Sequence, residues 1–365
     1  MRHLGNVIER LRDAQAAPAS RGASPARLEP LAAAGSNPGN LKAWRYGPET
    51  TSPMPLVVVL HGCTQSAAGY DLGSGWSALA ERHRFAVLFP EQQRANNPNL
   101  CFNWFSPDDT RRGSGEALSI REMVAAMVER HGIDPARVFV TGLSAGGAMA
   151  SSLLASYPDV FAGGAIIAGL PAGAASTMPQ AFERMRGHGH LDAARSGAHV
   201  RQASDHHGPW PVVSVWHGGA DATVAPSNAE AILEQWRAVN DLATAPNREE
   251  TVDGAVRREW RDDSGRLCLE DWRIAGMGHG TPIATVGATA CGSPAPYMLD
   301  VGVSATWHSA ARWGLLDPEV TAADRERPAA DAPQTQAKHP LPGATATGGI
   351  QGTIEAALRS AGLMR

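Results

Sequence analysis

Residues 137–157 read RVFVTGLSAGGAMASSLLASY and combine a strand pattern, a glycine-flanked serine and a helix pattern. Its first five residues, 137–141, form a short run rich in apolar and β-branched side chains, which predicts a strand. A pattern of small and apolar residues typical of a helix begins at Ala145. Between them lies GLSAG at 142–146, where a serine has a glycine two positions before it and another two positions after it. A sharp strand-to-helix turn of this kind places Ser144 at the carboxyl edge of a sheet, at a helix N-terminus that favours negative charge.

Apolar runs and helical patterns alternate on both sides of this turn. The predicted strands are 56–60, 85–89, 137–141, 162–168 and 211–216, with a late hairpin at 256–274. The predicted helices are 76–83, 115–131, 145–157, 229–239 and 303–313. Near-continuous apolar strands are typical of parallel sheets that are covered on both faces, and their connections are right-handed. The sequence therefore predicts an α/β protein with a doubly wound, mostly parallel sheet, helices on both faces and a single catalytic domain.

The two ends of the chain differ from its middle. Residues 1–40 are predicted to hold a short amphipathic helix and a linker rich in Ala, Pro, Ser and Gly, ahead of the catalytic domain at 41–317. Residues 318–365 are predicted to be a flexible tail that ends in a second short amphipathic helix. These helices either dock on a partner, such as a polymer granule, or pack on their own domain, and we favour the second interpretation.

Composition and charge exclude several functional classes. The chain has 365 residues, of which 43% are hydrophobic and 19% charged, and its net charge is −4. This balance is typical of a globular domain and lacks the basic excess that predicts nucleic-acid binding. No apolar run reaches the roughly 18–20 residues of a membrane span. The first fifteen residues lack the apolar stretch of a secretory signal, so the sequence by itself predicts a cytoplasmic location.

The chain has four cysteines, Cys63, Cys101, Cys268 and Cys291. Their even number and their two neighbourhoods permit two disulfides, Cys63 with Cys101 and Cys268 with Cys291, although four cysteines allow three pairings. The alternative is four reduced and partly buried thiols. No Cys-x-x-Cys or His-Glu-x-x-His spacing occurs in the sequence. We therefore predict no metal site and no cofactor.

A serine hydroxyl needs a base that accepts its proton, and two later turns offer the partners. In a fold with this type of turn, the acid follows a later strand and the histidine follows the last one. Asp221 comes after the strand 211–216 and a glycine turn, and His279 lies among glycines after the late hairpin. Asp205 is the rival acid, but it precedes its strand. Ser144, Asp221 and His279 are therefore predicted as the catalytic triad of an α/β-hydrolase fold.

Two further features would complete such a site. The developing oxyanion needs backbone N–H donors, which we expect from Ala145, directly after the serine, and from Cys63, in the loop after an early strand. Trp104 follows Cys101 closely and is predicted to line the acyl or alcohol pocket. The alternative for Trp104 is an aromatic residue of the core.

Several motifs together resemble the polyhydroxybutyrate (PHB) depolymerase family of esterases, which also includes feruloyl-esterase-like enzymes. They are HGCTQ at 61–65, CFNWF at 101–105, RGSGE at 112–116 and GMGH at 276–279. The resemblance covers about residues 44–313. It implies an α/β-hydrolase fold, the same three triad residues, and hydrolysis of short-chain hydroxyalkanoate esters outside the cell or at granules.

The sequence departs from this family after His279. Many relatives continue with Ala-Trp-Ser-Gly-Gly, whereas this chain has GTPI at 280–283, so we expect the substrate wall near the histidine to differ. The sequence shows no separate polymer-binding domain, which favours soluble oligomers or amorphous polymer as substrate over crystalline material.

The predicted function is hydrolysis of carboxylic esters, with poly(3-hydroxybutyrate), other polyhydroxyalkanoate chains or their oligomers as the favoured substrate. Three alternatives remain at this point. The chain could be a feruloyl or acetylxylan esterase, an acyltransferase with the same triad, or a non-catalytic granule-binding protein that uses its terminal helices.

Overall fold

A computed structural model describes residues 27–32, 34–48 and 52–326. Its strands are β1 (Glu29–Pro30), β2 (Lys42–Tyr46), β3 (Met54–Leu60), β4 (Ala86–Glu91), β5 (Ile133–Leu143), β6 (Gly163–Ile167), β7 (Val212–Gly218), β8 (Arg248–Val252), β9 (Ala255–Arg261), β10 (Leu267–Ile274), β11 (Thr281–Ile283) and β12 (Met298–Asp300). Its helices are α1 (Ala67–Ser74), α2 (Trp76–His83), α3 (Pro107–Thr110), α4 (Gly115–His131), α5 (Ala145–Ser156), α6 (Met178–Met185), α7 (Ala193–Gln202), α8 (Ser227–Val239), α9 (Ala305–Arg312) and α10 (Pro318–Glu326). Among the described residues, no helix combines the length and the apolar character that crossing a bilayer requires.

Ten of the strands form one sheet in the order β1-β2-β4-β3-β5-β6-β7-β10-β9-β8. The six central strands, from β4 to β10, run parallel to one another. Antiparallel strands close both edges, with β1 and β2 at one edge and β9 and β8 at the other. Because the order runs from β3 to β4 on one side and from β3 through β5 to β10 on the other, the sheet is doubly wound. This architecture confirms the predicted fold class.

Strand β3 shows how one short sequence builds two hydrophobic cores. Leu56, Val58 and Leu60 pack on one face of the sheet, whereas Val57 and Val59 pack on the other, because successive side chains of a strand point to opposite faces. All five side chains are fully buried. Burial of each stabilises the fold by about 1.5–3 kcal/mol. The first core also contains residues of α4, α5 and α8, and the second contains residues of α1, α2 and α9.

The folded domain begins earlier in the chain than the boundary predicted at residue 40. Strand β1 pairs with β2, and Leu31 and Ala34 are buried in the first core, so the stretch 27–40 is not the linker that its composition predicts. Helix α10 likewise lies within the predicted tail, at Pro318–Glu326. The two predicted amphipathic helices at the chain ends lie outside the described residues.

The disulfide between Cys268 and Cys291 that the sequence permits is absent, because both side chains are buried as free thiols in different parts of the domain. Cys268 lies on β10, with its sulfur near the Asp262 carboxylate. Cys291 packs against the junction of α1 and α2, where its sulfur faces the carbonyl oxygens of Ser74 and Gly75. Burial raises the pKa of the Cys291 thiol to about 12, so this residue behaves as a small apolar side chain.

A network of charges lies on the antiparallel edge that follows β7. Glu259 on β9 and Glu270 on β10 are buried, and both accept hydrogen bonds from the guanidinium of Arg312 on α9, at 2.8 and 2.6 Å. Ser214 on β7 donates a further hydrogen bond to Glu270 at 2.7 Å. Buried carboxylates of this kind are tolerated only while their partners remain. Arg312 therefore attaches α9 to the sheet.

We predict that Arg312→Met lowers the free energy of unfolding by about 2–4 kcal/mol, because it leaves two buried carboxylates without their shared cation. Urea-induced unfolding followed by circular dichroism measures the change. The control is Arg111→Ala, which removes an ion pair with Asp108 that is largely exposed and should cost less than about 1 kcal/mol. Equal losses in the two variants would contradict a stabilising role for Arg312.

Candidate active site

Ser144 occupies a backbone conformation that a non-glycine residue rarely adopts, with φ 58° and ψ −117°, at the turn from β5 into α5. The flanking glycines make this turn feasible. A Cβ atom at Gly142 would lie 2.4 Å from the carbonyl oxygen of Gly146, and one at Gly146 would lie 2.4 Å from that of Leu60. The Ser144 N–H donates to the carbonyl of Ile167 at 2.9 Å, which ties the turn to β6. The partly exposed serine therefore stands at the carboxyl edge of the sheet, as predicted.

Asp221 and His279 are brought together by two adjacent strands. Asp221 lies in the turn after β7, and His279 lies in the turn after β10, the direct neighbour of β7 in the sheet. The imidazole Nδ1 of His279 is 2.7 Å from Oδ2 of Asp221. Because Nδ1 is engaged with the carboxylate, the opposite ring nitrogen is left for a proton transfer. The turn that carries Ser144 ends at the same edge of the sheet, so the three side chains share one end of the domain.

The Asp221 carboxylate is fully buried but well satisfied by hydrogen bonds. Its Oδ1 accepts from the N–H groups of Thr223 and Val224, at 2.9 Å each, and Nε2 of His217 lies 3.4 Å from Oδ2. Burial by itself would raise the pKa of this carboxyl, but the contacts with His217 and His279 outweigh it, so the pKa is held well below its ordinary value. Asp221 is therefore an anion that can orient and stabilise a protonated imidazole.

Two backbone N–H groups near Ser144 are available to an oxyanion. Ala145 opens helix α5, where the first N–H groups have no partner within the helix. Cys63 lies in the loop after β3 and forms one of the two permitted disulfides, with Cys101. In the part of the chain that the structure describes, neither N–H donates a hydrogen bond to another residue. Next to Cys63, the Thr64 N–H donates to the carbonyl of Asn99 at 2.7 Å, so the loop is fixed both covalently and by hydrogen bonding.

Trp104 is part of the apolar packing around the start of α5. It belongs to a small apolar cluster that includes Ala145 and Val224 and that contacts Cys63 and Cys101 at its border. The ring is 7% exposed, and Phe105 meets it edge to face with ring centroids 5.8 Å apart. Trp104 is thus a buried aromatic residue that adjoins the nucleophile's helix.

The segment after His279 forms a small ordered sheet that brings Tyr297 to the histidine. Residues 281–283 form β11, which pairs with β12 in a small parallel sheet. The Thr281 N–H donates to the carbonyl of Tyr297 at 2.8 Å, and the Tyr297 ring meets the His279 ring edge to face with centroids 6.2 Å apart. Tyr297 also has a positive φ of 65°. Sequence reasoning missed Tyr297, because it lies far beyond His279 in the chain and belongs to no recognisable motif.

The rival acid Asp205 and a second histidine, His308, lie elsewhere. Asp205 is exposed and precedes β7, so it stands at the opposite end of that strand from Asp221. His308 on α9 is bonded to Asp253 at 2.9 Å and its ring centroid lies 4.8 Å from that of Trp272, which makes it a packed histidine of the fold. Neither residue belongs to the site around Ser144.

The doubly wound sheet, the strained serine turn and the Asp221–His279 pair define an α/β-hydrolase-type esterase. The chain belongs to the family described as Esterase PHB depolymerase, whose model matches residues 45–260. This match confirms the resemblance that the motifs indicate.

Individual relatives agree with this assignment. Poly(3-hydroxyalkanoate) depolymerase C from Paucimonas lemoignei is 45% identical over 285 residues, which cover 77% of this chain and 69% of that protein. Acetylxylan esterase A from Aspergillus oryzae is 31% identical over 265 residues, which cover 70% of this chain and 85% of that protein. The solved structure of an acetyl xylan esterase from Aspergillus awamori is similar with a TM-score of 0.64 and 26% identity, over 69% of this chain and 93% of that one. These enzymes are carboxylic ester hydrolases, as this chain is.

We predict that Asp221→Asn lowers kcat by about 10³-fold or more, because an amide can present an N–H to His279 and so favours the wrong tautomer of the ring. The rate of p-nitrophenyl butyrate hydrolysis measures the loss. Asp205→Asn is the matched control, since it makes the same substitution at the rejected acid and should leave kcat unchanged. A loss of similar size in both variants would contradict the assignment of Asp221.

Proposed function

We propose that Ser144, His279 and Asp221 form the catalytic triad of this esterase and that it cleaves hydroxyalkanoate esters. The observation that carries the proposal is the 2.7 Å contact between His279 Nδ1 and a buried carboxylate, at the sheet edge where Ser144 occupies its strained turn. A histidine held in this way by an anion is a suitable base for a serine hydroxyl.

The reaction would proceed in two halves. Ser144 Oγ attacks the ester carbonyl while Nε2 of His279 accepts the hydroxyl proton, and the N–H groups of Cys63 and Ala145 stabilise the oxyanion of the tetrahedral intermediate. As that intermediate collapses, His279 gives the proton to the departing alcohol and an acyl-enzyme remains. Water then attacks the acyl-enzyme, with His279 again as the base, and the carboxylic acid leaves. Asp221 stays ionised throughout and stabilises the imidazolium.

Trp104 is proposed to form the apolar wall of the acyl pocket. Its cluster adjoins Ala145 and Cys63, so an acyl group bound to Ser144 would meet this aromatic side chain on the same side as the two oxyanion donors. A wall of this type suits a short aliphatic acyl chain, because it provides contact area without a polar group that would need a partner.

The composition of the segment after His279 supports an uncharged polyester as substrate. The segment 281–298, which follows His279, contains no charged residue. Its exposed part is made of small and apolar side chains, with Val286 the most exposed of the larger ones. The relative from Paucimonas lemoignei is named for its action on poly(3-hydroxyalkanoate). We therefore place hydroxyalkanoate chains or their oligomers first among the substrates, with association at polymer granules as a consequence.

The second candidate is an ester of a plant polysaccharide. It is favoured by the likeness to fungal acetylxylan esterases, one of which shares 31% identity with this chain. A panel that compares 3-hydroxybutyrate trimers, acetylated xylan and methyl ferulate separates the two candidates by their kcat/KM values. Turnover of acetylated xylan or ferulate well above that of the trimer would overturn the choice of polyester.

We predict that Ser144→Ala abolishes hydrolysis of p-nitrophenyl butyrate and of 3-hydroxybutyrate trimers, because it removes the nucleophile. The fold should survive, since alanine occupies the same turn without a larger side chain, and circular dichroism checks this. Ser151→Ala, at a buried serine of the same helix, is the control and should keep its activity. Residual turnover in purified Ser144→Ala would refute the mechanism.

The pH dependence separates the roles of Asp221 and His279. Because the pKa of Asp221 is lowered in the folded state, its contribution to stability is present above about pH 4, where an unfolded Asp ionises, and is lost as the pH falls toward its folded value. Protonation of the base imidazole stops catalysis, so kcat/KM should fall on the acid side while the enzyme is still folded. Rates measured from about pH 5 to 9 test this expectation. A flat profile over that range in folded enzyme would contradict a histidine base.

A further inference from the structure

One buried carboxyl group lies near the site without any part in the triad mechanism. Glu116 is in the first turn of α4 and is 0% exposed. Its Oε1 accepts hydrogen bonds from Nε2 of Gln92 at 2.5 Å and from Nδ2 of Asn103 at 2.9 Å, and its Oε2 accepts from the N–H of Asn103 at 2.8 Å. Burial raises the pKa of this carboxyl, whereas the hydrogen bonds from Asn103 and Gln92 favour its ionised form. A group that is so costly to bury needs an explanation.

The first connection from Glu116 leads through Gln92 to the oxyanion loop, which is the loop after β3 that carries Cys63. While the Gln92 side chain bonds to Glu116, the Gln92 N–H donates to Nε2 of His61 at 3.1 Å. Because that nitrogen is an acceptor, the ring proton is on Nδ1, which lies 2.8 Å from the carbonyl oxygen of Gly62. Burial lowers the pKa of His61, which keeps the ring neutral and this tautomer in place.

The Gly62 carbonyl belongs to the same peptide unit as the Cys63 N–H. In a trans peptide the C=O and the N–H are held in one plane and point in opposite directions. A hydrogen bond that fixes the carbonyl therefore also fixes the direction of the Cys63 N–H, which points away from the His61 ring. A bond to the carbonyl also polarises the peptide and makes its N–H a stronger donor.

The second connection leads through the segment 101–103. Nε2 of Gln92 also donates to the carbonyl of Cys101 at 3.0 Å, and Glu116 holds Asn103 through both its backbone N–H and its side chain. Cys101 is covalently joined to Cys63 by the disulfide. The first connection therefore reaches Cys63 through hydrogen bonds, and the second reaches it through the disulfide.

We propose that Glu116 is a positioning residue, which through Gln92, His61 and the Cys63–Cys101 disulfide aims the Cys63 N–H at the oxyanion. This inference rests on the proposed function, since it assigns Cys63 the donor role. Glu116 itself touches neither the substrate nor the reacting atoms. Its carboxyl is suited to the task because it offers acceptors on both oxygens to three N–H donors at once.

Glu116→Gln tests the proposal. The glutamine has nearly the same shape, but its amide group would face either Asn103 or Gln92 with a donor against a donor, so the connections to Cys63 loosen. With p-nitrophenyl butyrate, we expect kcat to fall by about 10-fold or more while KM changes less than about 3-fold, because the lost donor acts mainly in the transition state. Inhibition by butylboronic acid, which forms a tetrahedral adduct with the serine, should weaken by the same factor as kcat/KM.

Glu270→Gln is the matched control, because Glu270 is 1% exposed and lies in the β9–β10 charge network away from the loop. This variant should lose stability, as Glu116→Gln does, but keep its kcat per folded molecule and its boronate affinity. Gln92→Met is the second variant and carries the test if Glu116→Gln does not fold. It cuts both routes from the Gln92 side chain, so it should show the same fall in kcat.

The results distinguish the two proposals. If the wild-type enzyme is inactive, or if Ser144→Ala keeps its activity, the proposed function fails whatever Glu116 does. If the wild-type enzyme works through Ser144 but folded Glu116→Gln and Gln92→Met retain wild-type kcat and boronate affinity, the positioning role is overturned alone. The proposal is also overturned if Glu270→Gln lowers kcat per folded molecule as much as Glu116→Gln does.

Discussion

The strained turn at Ser144 determines how closely helix α5 must pack against the central strands. A non-glycine residue with a positive φ costs about 1–3 kcal/mol and persists only where its surroundings hold it. Close packing holds Ser144 in this conformation, since Gly142 and Gly146 let α5 approach β5 and β3 more closely than any side chain would permit. The buried central strands provide the rigidity for this approach. The sheet therefore holds Ser144 in its strained backbone conformation.

The rest of the domain is divided into an apolar region and a charged region. The parallel strands from β4 to β7 are mainly apolar on both faces, whereas β10 and β9 beyond them also carry carboxylates that pair with guanidinium groups. Asp221 and His279 stand where these regions meet, after β7 and β10. The carboxylate can stay charged there because backbone N–H groups and two imidazoles surround it. Burial and hydrogen bonding together set its state, and neither would do so alone.

Local patterns allowed much of this to be predicted. The apolar runs located five of the six central parallel strands, the GLSAG turn located Ser144, and glycine-rich strand ends located Asp221 and His279, because each signal lies within a few residues of the feature. The contact of Tyr297 with His279 could not be predicted, since it depends on the pairing of β11 with β12. The packing of Leu31 was missed for a similar reason, because two-residue strands such as β1 have no period to detect. Glu116 was visible in a motif, but its role depends on contacts between distant segments.

The covalent tie between Cys63 and Cys101 has a consequence for how the protein can be produced. A chain made in a reducing cytosol would first carry two free thiols in the loop beside the nucleophile. Preparations of the same amino-acid sequence could then fold alike but differ in kcat. Specific activity would report the oxidation history of a batch as much as its purity. Titrating free thiols before comparing batches would separate these two causes, with Cys268 and Cys291 as a constant background of buried sulfhydryls.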